Sequence, residues 1–521
     1  MNHWIIAPVI LPALLAPLIA FVMRHDIVVA RAASSAGTIA LLAIAVGLTV
    51  LAADGGTHVY YLGNWPAPFG IVLVLDRLSA LMVLLTALLA VIALLHAMAT
   101  GWDTRGRHFH ALFQFQLMGI CGAFLTGDAF NLFVFFEVLL IASYGLMVHA
   151  GGKVRLQAGL QYVVMNLVGS TLFLFALGTL YAATGTLNIA DLVVKVQQSG
   201  ADDSGLIRVA AMLLLIVFGV KAALVPLHFW LPATYANAPA PVAALFAIMT
   251  KVGAYSIIRI HGMAFGPDNP ATDTLIGDWL FVLALLTMAV GAFGVLGARR
   301  LGPLLSYAVV GSMGTLLLAV SVFDSYATTT ALYYLIHSTF SAAALFLLAD
   351  LVVTRRGNDW LGVQPATVQN GLFAALFFAA AIAMAGMPPL SGFLGKLMIM
   401  DALRAPGVIG WAWTAIILGS LLTILGLAQA GSALFWKSTA DNVATDHLAR
   451  TAPADGPTPE TSHTPATALE VAPTVAAVAL LVGLAVMAGP VTNYLEATSA
   501  QIYDSSSYVE AVLNGHSEEA K

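Results

Sequence analysis

Charge is scarce in this sequence. Only 9% of its 521 residues are Asp, Glu, Lys or Arg, 60% are hydrophobic, and the mean hydropathy is +0.91. Soluble domains carry about a quarter charged residues, so this balance excludes a soluble enzyme and implies a polytopic membrane protein. Cysteine is scarcer still, with Cys121 alone inside an apolar stretch. One thiol excludes an intrachain disulfide and leaves no cluster for iron–sulfur or structural zinc. A Walker loop, a GxGxxG turn after a strand and an HExxH pair are all absent, so nucleotide chemistry has no footing and no metal or cofactor is indicated. The first apolar run, MNHWIIAPVILPALLAPLIAFVM, has no basic residue before it. A signal peptide normally has one, so the run reads as a retained first helix.

What is abundant is apolar sequence in bilayer-sized lengths. A span needs ~20 largely apolar residues. That criterion places helices near 4–22, 32–52, 71–96, 109–127, 129–148, 158–182, 206–236, 239–260, 279–298, 302–322, 327–350, 371–404, 411–436 and 471–491, fourteen in all. Membrane-spanning backbone must satisfy its own hydrogen bonds, and nothing alternates like a barrel strand, so an all-α bundle is expected. With fourteen spans both termini share a side. If that side is outside, the inner loops hold twelve Lys and Arg and the outer regions six, Arg259 among the latter. The bias favours this orientation. The three basic residues left over, Lys221, Lys251 and Lys396, fall within spans.

Two spans are too long for one straight helix. Residues 206–236 contain Pro226 and Pro232, and residues 371–404 contain Pro388 and Pro389. Proline removes a backbone donor and clashes with the preceding turn, so two half-helices are expected in each. PLHFWL (226–231) and PLSGFL (389–394) share Pro, Leu, an aromatic and Leu in register. Paired broken helices point to a transporter built from inverted repeats. The expected division is spans one to three over 1–108, one repeat over 109–260, the other over 279–436, a cytoplasmic linker at 437–470 and a last helix with a polar tail over 471–521. The linker is rich in Thr, Ala, Pro and Asp, and the tail is expected to form a short surface helix.

The charges within spans carry the chemistry. Glu137 lies in DAFNLFVFFEVLLIASYGLMV, Lys221 and His228 in VKAALVPLHFWLP, Lys251 in ALFAIMTKVGAYSIIRI, His337 in YYLIHSTFSAAALFLLAD and Lys396 in PPLSGFLGKLMI. A charge at the bilayer centre costs ~2.5–3.5 kcal/mol, so such residues face a partner or a wet cavity. Burial disfavours a charged lysine and a carboxylate favours it, so a Lys–Glu pair sits near a switching point. Histidine, with a free pKa near neutrality, is the natural intermediate. The rival reading of Glu137 and Lys221 is a static ion pair; Lys396 could be interfacial, His228 a helix cap and His337 a bonded core residue. His96 and His149, at span ends, read as interfacial, and Asp76–Arg77 as structural.

The stretch KAALVPLHFWLPATYANAPAPVAALFAIMTKVGAY (221–255) resembles the signature of the proton-translocating, antiporter-like membrane subunits. That family covers Mrp-type cation/proton antiporters, the large membrane-arm subunits of complex I and related hydrogenase subunits. WPAPFGIVLVLDRLSALM (65–82) and HSTFSAAALFLLADLV (337–352) look most like the D-type subunit of bacterial Mrp (Pha) antiporters. The resemblance implies fourteen helices, two inverted five-helix repeats and residence in the bacterial inner membrane. It implies partners, namely other membrane subunits with Na⁺ or K⁺ and H⁺. It also implies proton-transfer roles for Glu137, Lys221, Lys251, His337 and Lys396. Several relatives carry a lysine where this chain has Ser341; passage there must rest more on water, His337 and Ser341, with Ser338 and Thr339 able to order that water. A redox-driven proton pump of the same fold and an unrelated anion carrier are the competing functions.

Overall fold

The computed structural model describes residues 3–199, 204–267, 269–437 and 464–519. Most of the expected cytoplasmic linker, residues 438–463, lies outside the described residues. Helices occupy nearly everything else, in the order α1 (Ala7–Pro17), α2 (Ile27–Ala52), α3 (Arg77–Ala99), α4 (Phe109–Leu125), α5 (Ala129–Met147) and α6 (Lys153–Thr184). Then come α7 (Ile189–Gln198), α8 (Ser204–Lys221), α9 (Trp230–Asn237), α10 (Ala240–Ser256), α11 (Gly262–Ala264), α12 (Leu275–Gly297) and α13 (Leu301–Val320). The chain finishes with α14 (Ser325–Arg356), α15 (Asn370–Ala385), α16 (Ser391–Ala402), α17 (Ile409–Gly431), α18 (Ala468–Val486), α19 (Ala488–Tyr503) and α20 (Ser506–Glu519). Among the described residues ten helices are long and apolar enough to cross a membrane. Three more, Ala7–Val22, Phe109–Leu125 and Asn370–Ala385, are shorter and apolar.

Four of the 26 acidic residues mark where long helices begin. Asp26, Asp76, Asp128 and Asp324 each accept a backbone N–H of the first turn of α2, α3, α5 and α14. These caps satisfy donors that no helix can satisfy internally. Helix α14 is the axis of the bundle, packed against α10, α13, α15, α16, α18 and α19, and it buries Tyr333, Tyr334 and His337 along its length. α6, with 32 residues, extends roughly 48 Å at 1.5 Å per residue, well beyond a bilayer core.

Two local features differ from the sequence expectation. The third span does not start at 71: Val72–Leu75 is a strand paired antiparallel with His58–Tyr61, Tyr61 opposite Val72. A short β-branched run ahead of a capping aspartate favours this outcome, and Asp76 with Ser79 forms the capping box that opens α3. The tail forms two helices rather than one short surface helix. α20 returns to pack on α7 and on the hairpin, and Tyr61 donates its hydroxyl to the carbonyls of Ala511 and Val512, both at 3.0 Å.

Candidate functional site

Each broken helix leaves carbonyl groups without an i+4 donor, and side chains take over that duty. α8 ends at Lys221, and the indole of Trp230 donates to the Val220 carbonyl at 2.9 Å. Inside the break Ala223 adopts φ +55°, and the freed Val225 N–H donates to Thr287 of α12 at 2.9 Å. Pro226 stands in the break as expected. Pro232 does not: it is the third residue of α9, where a missing N–H costs nothing. The second break spans Gly386 to Leu390 and includes Pro388 and Pro389. Gly386 has φ +78°, a left-handed cap that glycine adopts freely.

Each break presents a lysine. Lys221 is buried in the last turn of α8, at the negative end of its dipole. Its ammonium donates to Asn166 Oδ1 at 2.8 Å and lies 5.6 Å from the centre of the Phe136 ring. Lys396, in α16, reaches back to donate to the Ala385 carbonyl at 2.8 Å and to Ser420 Oγ of α17 at 2.9 Å. That carbonyl is one that the end of α15 sets free. Lys251, fully buried in α10, has a single long contact, 3.5 Å to Thr250 Oγ1. Among the described residues, none of the three lysines has a carboxylate within 4 Å, which leaves the static ion pair without a contact.

Glu137 is not enclosed by its phenylalanine and leucine neighbours. It is half-buried on the flank of α5, with Val134 and Ile141 exposed on either side, and the Ser170 hydroxyl of α6 donates to its carboxylate. α5 keeps part of its apolar sequence on an outer face, so an apolar context did not mean burial. His337 is fully enclosed. Its Nδ1 is 2.9 Å from Ser391 Oγ at the start of α16, and its Nε2, near the Ala383 backbone, makes no hydrogen bond of full geometry. Gly392 makes this packing possible: a Cβ there would collide with the Ala383 carbonyl and sit 2.8 Å from the imidazole.

Lys221, Lys251, His337 and Lys396 are all buried, and Glu137 stands on the flank of α5. α10 closes against Lys221 at Gly253, where a Cβ would lie 3.0 Å from Lys221 Cβ. A small cavity beside Lys221 is lined by Tyr162, Asn166, Trp230, Met249 and Val252. Ser341 is buried with its hydroxyl unpartnered, whereas Ser338 and Thr339 donate to the Leu335 carbonyl of their own helix and keep only acceptor capacity for water. His228 lies half-buried in the 3₁₀ turn Leu227–Phe229 with Nδ1 unpartnered, not as a helix cap. Asn166, Ser170, Ser391 and Ser420 are the partners that sequence reading passed over. Asn166, in YVVMNLVG, was the findable one, an amide isolated in an apolar run.

Other polar residues form the two ends. His96 and His149, at span ends, are buried within the protein. His96 Nε2 meets Asp350 at 2.9 Å, Trp102 Nε1 donates to the same carboxylate, and His149 Nε2 meets the Trp102 carbonyl at 2.9 Å. Beside them Arg31 and His110 hold Asp103 at 2.6 and 3.1 Å. Burial pushes the Asp103 carboxyl up, but the hydrogen bonds from Arg31 and His110, with the charge of Arg31, outweigh it and hold it down at about 2. At the hairpin end Arg259 is not a loop residue: it is buried in the π-helical turn that continues α10, with Nη1 and Nη2 donating to Asp76 at 2.5 and 2.8 Å.

Fold and site together define an all-helical, multi-pass membrane protein with three lysines and an imidazole buried in its interior, two of the lysines beside broken helices. The chain belongs to the NADH:quinone oxidoreductase/Mrp antiporter membrane family, whose model matches residues 126–425. It is 38% identical to the D-type subunit of a probable K⁺/H⁺ antiporter of Rhizobium meliloti, over 99% of this chain and 98% of the relative. It is 37% identical to the D-type subunit of a Na⁺/H⁺ antiporter of Bacillus subtilis, over 98% and 100%. Among solved structures, a chain of the Mrp complex from Dietzia sp. superposes with TM-score 0.86 at 30% identity, covering 99% of this chain and 100% of that one. A chain of respiratory complex I from Thermus thermophilus, at TM-score 0.78 and 23% identity over 98% and 100%, shares the fold.

Proposed function

We propose that this chain is an integral subunit of a multi-subunit monovalent cation/proton antiporter, a transporter component rather than an enzyme. Protons pass along Glu137, Lys221, Lys251, His337 and Lys396, with Ser341 and His228 as auxiliaries. The observation that carries this reading is the pairing of each buried lysine with neutral partners only, an amide, hydroxyls and a carbonyl. Such partners hold an amine without fixing its charge, so proton gain and loss stay close in energy. The broken span Ser204–Asn237, added to the long and short apolar helices, makes fourteen spans. Two inverted five-helix repeats over 109–260 and 279–436, each containing one break, are the arrangement we assign. We place the chain in the bacterial inner membrane with both termini outside.

The open flank of α5 and α6 suits a neighbouring subunit better than lipid, because Glu137 would otherwise meet hydrocarbon. The names of the relatives leave Na⁺ and K⁺ as the exchanged ions. The test uses everted vesicles carrying the whole complex. Glu137→Ala or Lys221→Ala is expected to abolish cation/proton exchange with assembly intact; undiminished exchange overturns the reading. The likeness to a complex I chain supports a second reading, a proton pump driven by redox partners. Co-purification with flavin and iron–sulfur proteins, rather than small hydrophobic subunits, would decide for it.

A further inference from the structure

The two broken-helix lysines are not equivalent in their surroundings. The space beside Lys221 is walled mainly by apolar and aromatic groups. The space beside Lys396, between α12, α13 and α17, carries six hydroxyl-bearing residues among its apolar ones: Tyr307, Ser312, Thr315, Tyr334, Ser420 and Thr423. It is roomy enough for water, and a water needs two to four polar partners to stay. The partners are present. Lys396 Nζ and Ser420 Oγ meet at 2.9 Å at the wall. Ser312 Oγ is buried and makes no hydrogen bond of full geometry in the protein, with the Tyr334 phenol as its near neighbour, so a water can supply the bond it lacks.

Tyr334 joins this cavity to the imidazole. It stands one turn before His337 on α14, the two rings 5.5 Å apart, and its phenol approaches the Ser312 and Thr315 hydroxyls. Gly395 allows the placement, since a Cβ there would lie 3.0 Å from Tyr334 Cδ2. Gly291 and Gly311 let α12 and α13 touch at the opposite wall, so the cavity is bounded by close-packed backbone and cannot readily collapse.

The geometry points to Tyr334 and Ser312 as positioning residues that hold water against Lys396. This inference rests on the proton-relay reading above and extends it by two residues that carry no charge. In the step, an N–H bond of the Lys396 ammonium breaks and an O–H bond forms on the water, while one of that water's own O–H bonds breaks and its proton bonds to the next water. The N–H electron pair stays on nitrogen as the lone pair of the neutral amine, and one positive charge has moved on by one water. The hydroxyls hold the water in line; they need not ionise. The arrangement also accounts for Ser341, since His337 then has a hydroxyl-bearing neighbour on each side of it along α14.

The test compares cation/proton exchange by the whole complex in everted vesicles made in H₂O and in D₂O. Tyr334→Phe keeps the ring against His337 and deletes only the hydroxyl; Ser312→Ala removes the buried oxygen. Each is expected to slow exchange by about three- to tenfold, the worth of one hydrogen bond, and to enlarge the H₂O/D₂O rate ratio while the complex assembles normally. Ser312→Thr, which keeps a hydroxyl, is expected to restore most of the rate, and Ser312→Val, which also fills the cavity, to be slower than Ser312→Ala. Wild-type rate and isotope ratio in both Tyr334→Phe and Ser312→Ala, with Lys396→Ala inactive, overturn this inference and leave the relay standing. Full activity in Lys396→Ala removes the relay reading itself, and this inference with it.

Discussion

Replacing Asp76 by asparagine separates two duties of one side chain. Asp76 caps α3 through Ser79 N–H at 2.9 Å, and it is the counter-ion of Arg259, both side chains 3% exposed. Asparagine caps a helix about as well as aspartate, so Asp76→Asn leaves the cap and removes the charge. The Arg259 guanidinium is then buried without a counter-ion, between the rings of Tyr255 and Tyr508, each 5.5 Å away. Breaking a buried pair from one side costs about 3–5 kcal/mol. Asp76→Ala should cost about 1 kcal/mol more, because the cap goes too. Arg259→Met strands the carboxylate and should cost a similar 3–5 kcal/mol, yet the double variant Asp76→Asn/Arg259→Met should cost about 2 kcal/mol less than the sum, because no lone charge remains. The assay is denaturant unfolding of the purified protein in detergent, followed by tryptophan fluorescence, at low and high salt. The pair is enclosed, so salt should change little. An Asp76→Asn cost under about 1 kcal/mol, or single costs that simply add, would refute the reasoning.

Acid should weaken the opposite end. Asp103 is held at about 2, below its free value of 3.8, so its ionised form is favoured in the fold. Its contribution is therefore complete above pH 4 and is lost as pH falls from 4 towards 2. Arg31 is a third exposed, and with that screening the effect is about 1–2 kcal/mol; thermal melts should show it in wild type and not in Asp103→Asn. Gly386→Ala combines an unfavourable left-handed conformation, about 1 kcal/mol, with a Cβ 2.6 Å from Lys396 Cδ. It should displace the ammonium from the Ala385 carbonyl and abolish exchange, while Gly371→Ala, with open space around it, should match wild type in the same vesicle assay. Asn166→Leu removes the acceptor held by Lys221 and should cut exchange at least tenfold, the effect of about 1.5–3 kcal/mol for a bond to a charged group; wild-type exchange would show that Lys221 does not depend on it.

Helix positions were legible because apolar runs of bilayer length have few alternatives, and the row from Glu137 to Lys396 was legible because charge there is rare. The places where reading failed share a physical cause. VLVL at 72–75 belongs to a strand, but a short apolar run carries no periodicity to tell it from helix. Pro232 resembles Pro226 in composition, yet one sits in a first turn and the other in a break, which depends on where the new helix starts. Glu137 has apolar neighbours along the chain whether its face points inward or out. Hydroxyls are the least legible of all. Thr339 bonds its own helix and Ser341 bonds nothing in the protein, although they are two residues apart on one element.

The end of the chain completes what its beginning starts. α3 and α10 supply the Asp76–Arg259 pair, but the tyrosine that shields it comes from α20, and the same helix is tied to the first hairpin strand through Tyr61. Asp76 and Arg259 are both made before Tyr508, so the pair can be covered only once α20 has been synthesised and has folded back onto it. A fusion partner or tag joined after α20 would therefore burden the final act of assembly, while one joined ahead of α1 would leave that closing movement free.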